Sequence, residues 1–126
     1  MAYAAADTLE ATTIQPAATP IDRSRLAHMT FGDRSLEREL LQLFDRQSGL
    51  LIARMRESEP QAVAALAHTM KGSALGVGAI NVARAAAVTE FAATLRGGAE
   101  CDLALDKLAV AVDEARATIA ALLRAY

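Results

Sequence analysis

Tryptophan is absent from this chain of 126 residues, and the aromatics amount to two tyrosines and three phenylalanines. The strand-forming β-branched residues are also scarce, so the sequence offers little to build a sheet from. A single cysteine, Cys101, excludes an intrachain disulfide and any multi-cysteine metal site, and it fits a reducing cytoplasm. Thirteen basic residues are interspersed with fifteen acidic ones for a net charge of −2, and no basic stripe points to nucleic acid. No apolar run approaches the ~18–20 residues of a membrane span. The opening MAYAAADTLEA has neither the basic nor the apolar region of a signal peptide. The expectation is a soluble, cytoplasmic protein. Phosphate-binding glycine motifs of nucleotide enzymes are missing, which argues against an autonomous kinase. So are the paired Glu-x-x-His motifs of di-metal bundles.

What is present is alanine and leucine. Hydrophobic residues make up 53% of the chain, enough for one small domain with a core. Alanine is the strongest helix former, so the composition predicts helices packed across small side chains. Residues 1–20 are rich in Ala and Thr, with Pro16 and Pro20, and carry no sustained apolar stripe. They read as a flexible tail or as a docking segment. Residues 21–126 read as the folded domain.

Five helices are expected in that domain. Asp22 caps a short one that buries Ile21, Leu26 and Met29 and breaks at Thr30-Phe31-Gly32. Asp33 caps a long one with an apolar stripe of Leu36, Leu40, Leu43, Phe44, Leu51 and Met55, ending before Pro60. Gln47 falls on that stripe, either as a buried polar group needing a partner or at the stripe's edge. Gly49 is its weak point. A third helix runs from about Pro60 to Leu75 with Val63, Leu66, Ala67, Met70 and Ala74 inward, and Gly76-Val77-Gly78 ends it. A fourth runs from Ala79 to about Arg96 with Ile80, Ala83, Ala87, Phe91 and Leu95 on one side. The fifth runs from about Glu100 to Arg124 on a stripe of Leu105, Leu108, Val112, Ala115, Ile119 and Leu122. Short connections between long amphipathic helices predict an all-α fold: an antiparallel up-down four-helix bundle with a short N-terminal capping helix.

The chemistry is concentrated in Leu66–Ala79, LAHTMKGSALGVGA. At ~100° per residue, His68 lies about 140° from the centre of the third helix's buried stripe, so it is predicted to be exposed. A neutral imidazole is a nitrogen nucleophile near neutral pH and also a leaving group, which suits reversible phosphoryl carriage. Lys71, one turn on, can offset the charge of a phosphoryl group. Gly72 points outward and removes bulk beside the imidazole; a glycine inside a helix costs stability and so asks for a reason. Ala64, Ala65 and Leu75 share that side. Ser73 either donates a local hydrogen bond or simply packs small. His28 has no such surroundings and reads as an ordinary surface or core-edge residue, and Cys101 as a plain residue near a helix start.

His68, Lys71, Gly72, Ser73, Gly78 and Ala79 spell H-x-x-K-G-S with a glycine ten residues after the histidine. Upstream, IDRSRLAHMTFGDRSLERELLQLF gives a short helix, a Gly-Asp break and a Leu-rich helix ending in Phe. Together they resemble the histidine-containing phosphotransfer (HPt) domain family over about residues 20–124. The resemblance implies a four-helix bundle whose exposed histidine accepts a phosphoryl group from the aspartate of a response-regulator receiver domain and passes it to another receiver. It implies that the partner supplies Mg2+ and the acidic pocket. It also implies that the imidazole nitrogen distal to the backbone is phosphorylated, that the chain is a monomer, and that a hybrid histidine kinase is a possible source of the group. In the family a polar residue on the next helix faces the ring, a position that Glu90 takes here by spacing. Leu75-Gly76 departs from the family's more polar pattern. The competing expectation is a non-catalytic helical docking module for response regulators or histidine kinases.

Overall fold

The computed structural model describes residues 19–95 and 97–126. Residues 1–18, most of the expected tail, and Arg96, the expected end of the fourth helix, lie outside the described residues. Among them the chain forms five helices and no strand: α1 (Arg23–Met29), α2 (Arg34–Arg56), α3 (Pro60–Val77), α4 (Ile80–Leu95) and α5 (Gly98–Arg124). The helices pack together, with α3 against α2 and α4, α5 against α4 and α2, and α1 against α3 and α2. No helix of the described residues is long and apolar enough to cross a membrane.

Local chemistry sets the helix limits. Asp22 and Asp33 each accept the backbone N–H three residues on, at 3.1 Å, satisfying donors that the first turn leaves open. Phe31 and Gly32 then take successive left-handed conformations, which turns the chain from α1 into α2. Pro60 starts α3 where its missing N–H costs nothing. α3 runs to Val77, two residues beyond the expected Leu75, and Gly78 ends it at φ +77°. Its carbonyl accepts the Asp22 N–H at 2.7 Å, and a Cβ on it would meet the Asp22 carbonyl oxygen at 2.5 Å. That contact ties the start of α1 to the end of α3. Arg25 Nε adds a second tie to the Leu75 carbonyl at 3.2 Å.

The core draws on every helix, with Leu26, Leu41, Phe44, Met55, Met70, Val82, Leu108 and Ile119 fully enclosed. The α5 stripe lies inward as expected, with Leu122 half-buried. Three expected faces are corrected. Met29 is 47% exposed, because the inward row at this end of α1 is Leu26 and Thr30, one turn apart, and Met29 lies beside it on the outer side. On α2 the inward row is Glu37, Leu41, Phe44, Ser48, Leu51 and Met55. Leu36, Leu43 and Gln47 are exposed and Leu40 half-buried. Ser48 allows close approach, and it donates to the Asp45 carbonyl of its own helix at 3.3 Å. On α4 the buried residues are Val82, Ala83, Ala86, Thr89, Ala92 and Ala93, while Ala87, Phe91 and Leu95 face outward and Ile80 is half-buried. A helix wedged between α3 and α5 buries its small side chains because they let the backbones approach. Thr89 donates its hydroxyl to the Ala85 carbonyl of its own helix at 2.8 Å and lies 3.3 Å from the Ala104 carbonyl on α5. Gly49, on α2, leaves room for the Arg116 guanidinium, which crosses from α5 to Asp45 at 2.9 Å.

Candidate functional site

α3 buries Val63, Ala67, Met70 and Ala74 along one side and turns His68 away from them. The His68 side chain is 67% exposed. One turn on, Lys71 is half-buried at the flank. A Cβ at Gly72 would meet nothing within 4 Å outside its own helix backbone, so the surface there is open. Ala65 and Leu75 are exposed and Ala64 half-buried on the same side. Ser73 and Gly76 lie together instead in a shallow cleft of about 190 Å³ between α3 and α2, with Leu40, Leu43, Gln47 and Val77. Gly76 stands in the last turn of α3, and the helix stop falls at Gly78.

α4 brings Glu90 to the imidazole. Glu90 Oε2 lies 3.0 Å from His68 Nδ1, and Oε1 accepts from Lys71 Nζ at 3.3 Å. Burial at the helix surface opposes ionisation of Glu90. The hydrogen bond and charge of Lys71, followed by the charge and hydrogen bond of His68, outweigh it and hold the carboxyl below the usual glutamate range. An ionised carboxylate only accepts, so the Nδ1 facing it carries the proton. In the neutral ring the lone pair then resides on Nε2, the nitrogen distal to the backbone. The arrangement therefore presents one basic nitrogen at an exposed position, with a fixed ring and an adjacent ammonium.

His28, near the end of α1, is exposed and takes no part in this cluster. Cys101 is buried, and burial followed by the neighbouring charge of Asp102 pushes its thiol up. No group of three or more His, Cys, Asp or Glu side chains among the described residues could hold a metal ion. The cleft flanked by Leu40 and Leu43 is the feature that periodicity misses, because the apolar stripe assigns both leucines to the core. The only hint was that α2 carries more leucines than one inward stripe can hold.

Compared with models of known protein families, with curated proteins and with solved structures, the chain finds no significant match.

Proposed function

We propose that this chain is a cytoplasmic phosphotransfer protein of the HPt type, a phosphorelay intermediate that carries a phosphoryl group on His68. The observation that carries the reading is the pairing of His68 Nδ1 with Glu90 on an exposed helix face. In this reading α2 to α5 form an antiparallel up-down bundle, and α1 lies across one end.

The step is a displacement at phosphorus. Nε2 of His68 attacks the phosphorus of an aspartyl phosphate on a receiver domain. The N–P bond forms as the P–O bond to the aspartate breaks, and the carboxylate leaves. The imidazole becomes cationic, and Glu90 stabilises the proton retained on Nδ1. Lys71, one helical turn from His68 and held by Glu90 Oε1 at 3.3 Å, offsets part of the phosphoryl charge. In the onward step a second receiver's carboxylate attacks the phosphorus, the N–P bond breaks, and the neutral ring is restored. Ala64, Ala65, Gly72 and Leu75 form the low surface on which the receiver docks, and the receiver brings Mg2+ and its acidic pocket.

The test is incubation of the purified chain with receiver domains phosphorylated in advance. The expected result is an acid-labile, alkali-stable label that disappears in His68→Gln, with the circular dichroism of that variant unchanged. ATP alone should give no label. An unlabelled chain that still binds receivers would replace this reading with that of a docking module.

A further inference from the structure

Val88, Phe91 and Leu95 on α4 and Leu103 and Val110 on α5 are each more than half exposed. Their spacings of three, four and seven residues are those of helical faces that pack against other helices. Phe91, Val88 and Leu103 wall a groove of about 350 Å³ floored by Ala92 and Ala104, with Glu100 and Lys107 beside it. Large side chains beside a floor of alanines give this face both the knobs and the hole of a helix contact. Exposed apolar surface that continues over two helices marks a contact site.

The order of residues says what covers it. Val88 and Leu95 are centred between residues 91 and 92, and Glu100 and Lys107 between residues 103 and 104. Phe91, Ala92, Leu103 and Ala104, the residues at those two centres, share the one groove. A two-fold axis lying in the surface at that level, across the helices, therefore serves both helices at once. It sets α5 antiparallel to α5 of a second copy, with Glu100 opposite Lys107 in both directions and Leu103 near the axis. It sets Val88 opposite the Leu95 end of the facing α4, with Phe91 near its counterpart. Such reciprocity is what an isologous contact requires and what an unrelated partner does not. The geometry points to a homodimer formed face to face through α4 and α5, where the family resemblance implies a monomer. On α4, Phe91 lies about 100° around the helix from Glu90, so His68 stays open in both copies. The inference does not depend on the phosphotransfer reading.

Sedimentation of the full chain across micromolar to millimolar concentrations tests it. A concentration-dependent dimer is expected. Leu103→Arg, at an exposed site that leaves the circular dichroism unchanged, should weaken it about a hundredfold. Glu100→Lys and Lys107→Glu each oppose like charges and should weaken it about tenfold, while the double reversal restores it. A chain that stays monomeric throughout overturns the proposal, as does a dimer indifferent to Leu103→Arg or a double reversal that fails to recover. A monomer in which Leu103→Arg abolishes receiver binding also overturns it, by assigning the face to the receiver.

Discussion

Glu90 reaches across from α4 to His68 on α3, with Oε2 3.0 Å from Nδ1, and its other oxygen holds Lys71 at 3.3 Å. One carboxylate thus sets the tautomer of the ring and the position of the ammonium. Removing it as Glu90→Ala releases both. The imidazole 15N shifts of the wild type should report a proton on Nδ1, and the variant should show the proton redistributed towards Nε2. Phosphoryl acceptance should fall roughly tenfold with receiver binding retained, the scale on which removal of an orienting partner acts. Unchanged 15N shifts would mean that Glu90 does not set the tautomer.

Lys71 governs the charge state of Glu90. Its hydrogen bond and charge are the chief influences holding that carboxyl down against the effect of burial. Lys71→Met keeps the stem and removes the ammonium, so the Glu90 midpoint should rise, as a 13C titration of the side-chain carboxyl would show. Because the folded value is depressed, ionised Glu90 adds stability above the unfolded value of about 4.3, and that contribution is lost as the pH falls through the folded value. The variant should lose it at a higher pH than the wild type. A midpoint that stays put would assign the depression to His68.

The extent of the helices was legible in the sequence because local chemistry sets it: Asp22, Asp33, Pro60 and Gly78 act within one turn of themselves. Which face of a helix turns inward was less legible. Periodicity weights large apolar residues, yet on α4 the neighbours on both sides select Ala86, Thr89 and Ala93 and leave Phe91 and Leu95 outside. On α2 the leucines spread over about half of the helix's circumference, wider than one buried stripe, and packing chooses Leu41 over Leu36 and Leu43. In the candidate site, the relation of His68 to Lys71 and Gly72 is a matter of helical spacing and could be read directly. The approach of Glu90 joins residues 22 apart in sequence, and its distance depends on how α4 packs on α3.

Gly78 is a buried junction between α1 and α3 rather than part of the exposed surface. Its φ of +77° disfavours any side chain, and a Cβ would collide with backbone at Asp22, which cannot swing aside as a side-chain end can. Gly78→Ala should therefore cost at least about 2 kcal/mol in urea unfolding. Amide exchange should quicken first in α1, whose start is anchored by the bond from Asp22 N–H to the Gly78 carbonyl. Equal loss of protection in α1 and α5 would show that this tie is not what holds α1 down.

Tyr126 fastens the end of the chain to the start of α2. Its hydroxyl donates to Glu37 Oε1 at 2.9 Å, and Arg34 lies 5.0 Å above its ring. Glu37 is only 8% exposed, and Thr30, its other near neighbour at 3.5 Å, commits its hydroxyl hydrogen to the Leu26 carbonyl at 2.9 Å. Tyr126 is thus the principal donor to a buried carboxylate. Burial, then the hydrogen bond and charge of Glu37, raise the phenol above its usual range despite Arg23 and Arg34. Tyr126→Phe keeps the ring under Arg34 and deletes only the donor, so it should cost about 1–3 kcal/mol in urea unfolding. Glu37→Gln should cost less once Tyr126 is Phe than when it is Tyr, because the two substitutions share one interaction. Strict additivity of the pair would place Glu37's stabilisation elsewhere, and ultraviolet titration would then show Tyr126 ionising in the ordinary range near pH 10.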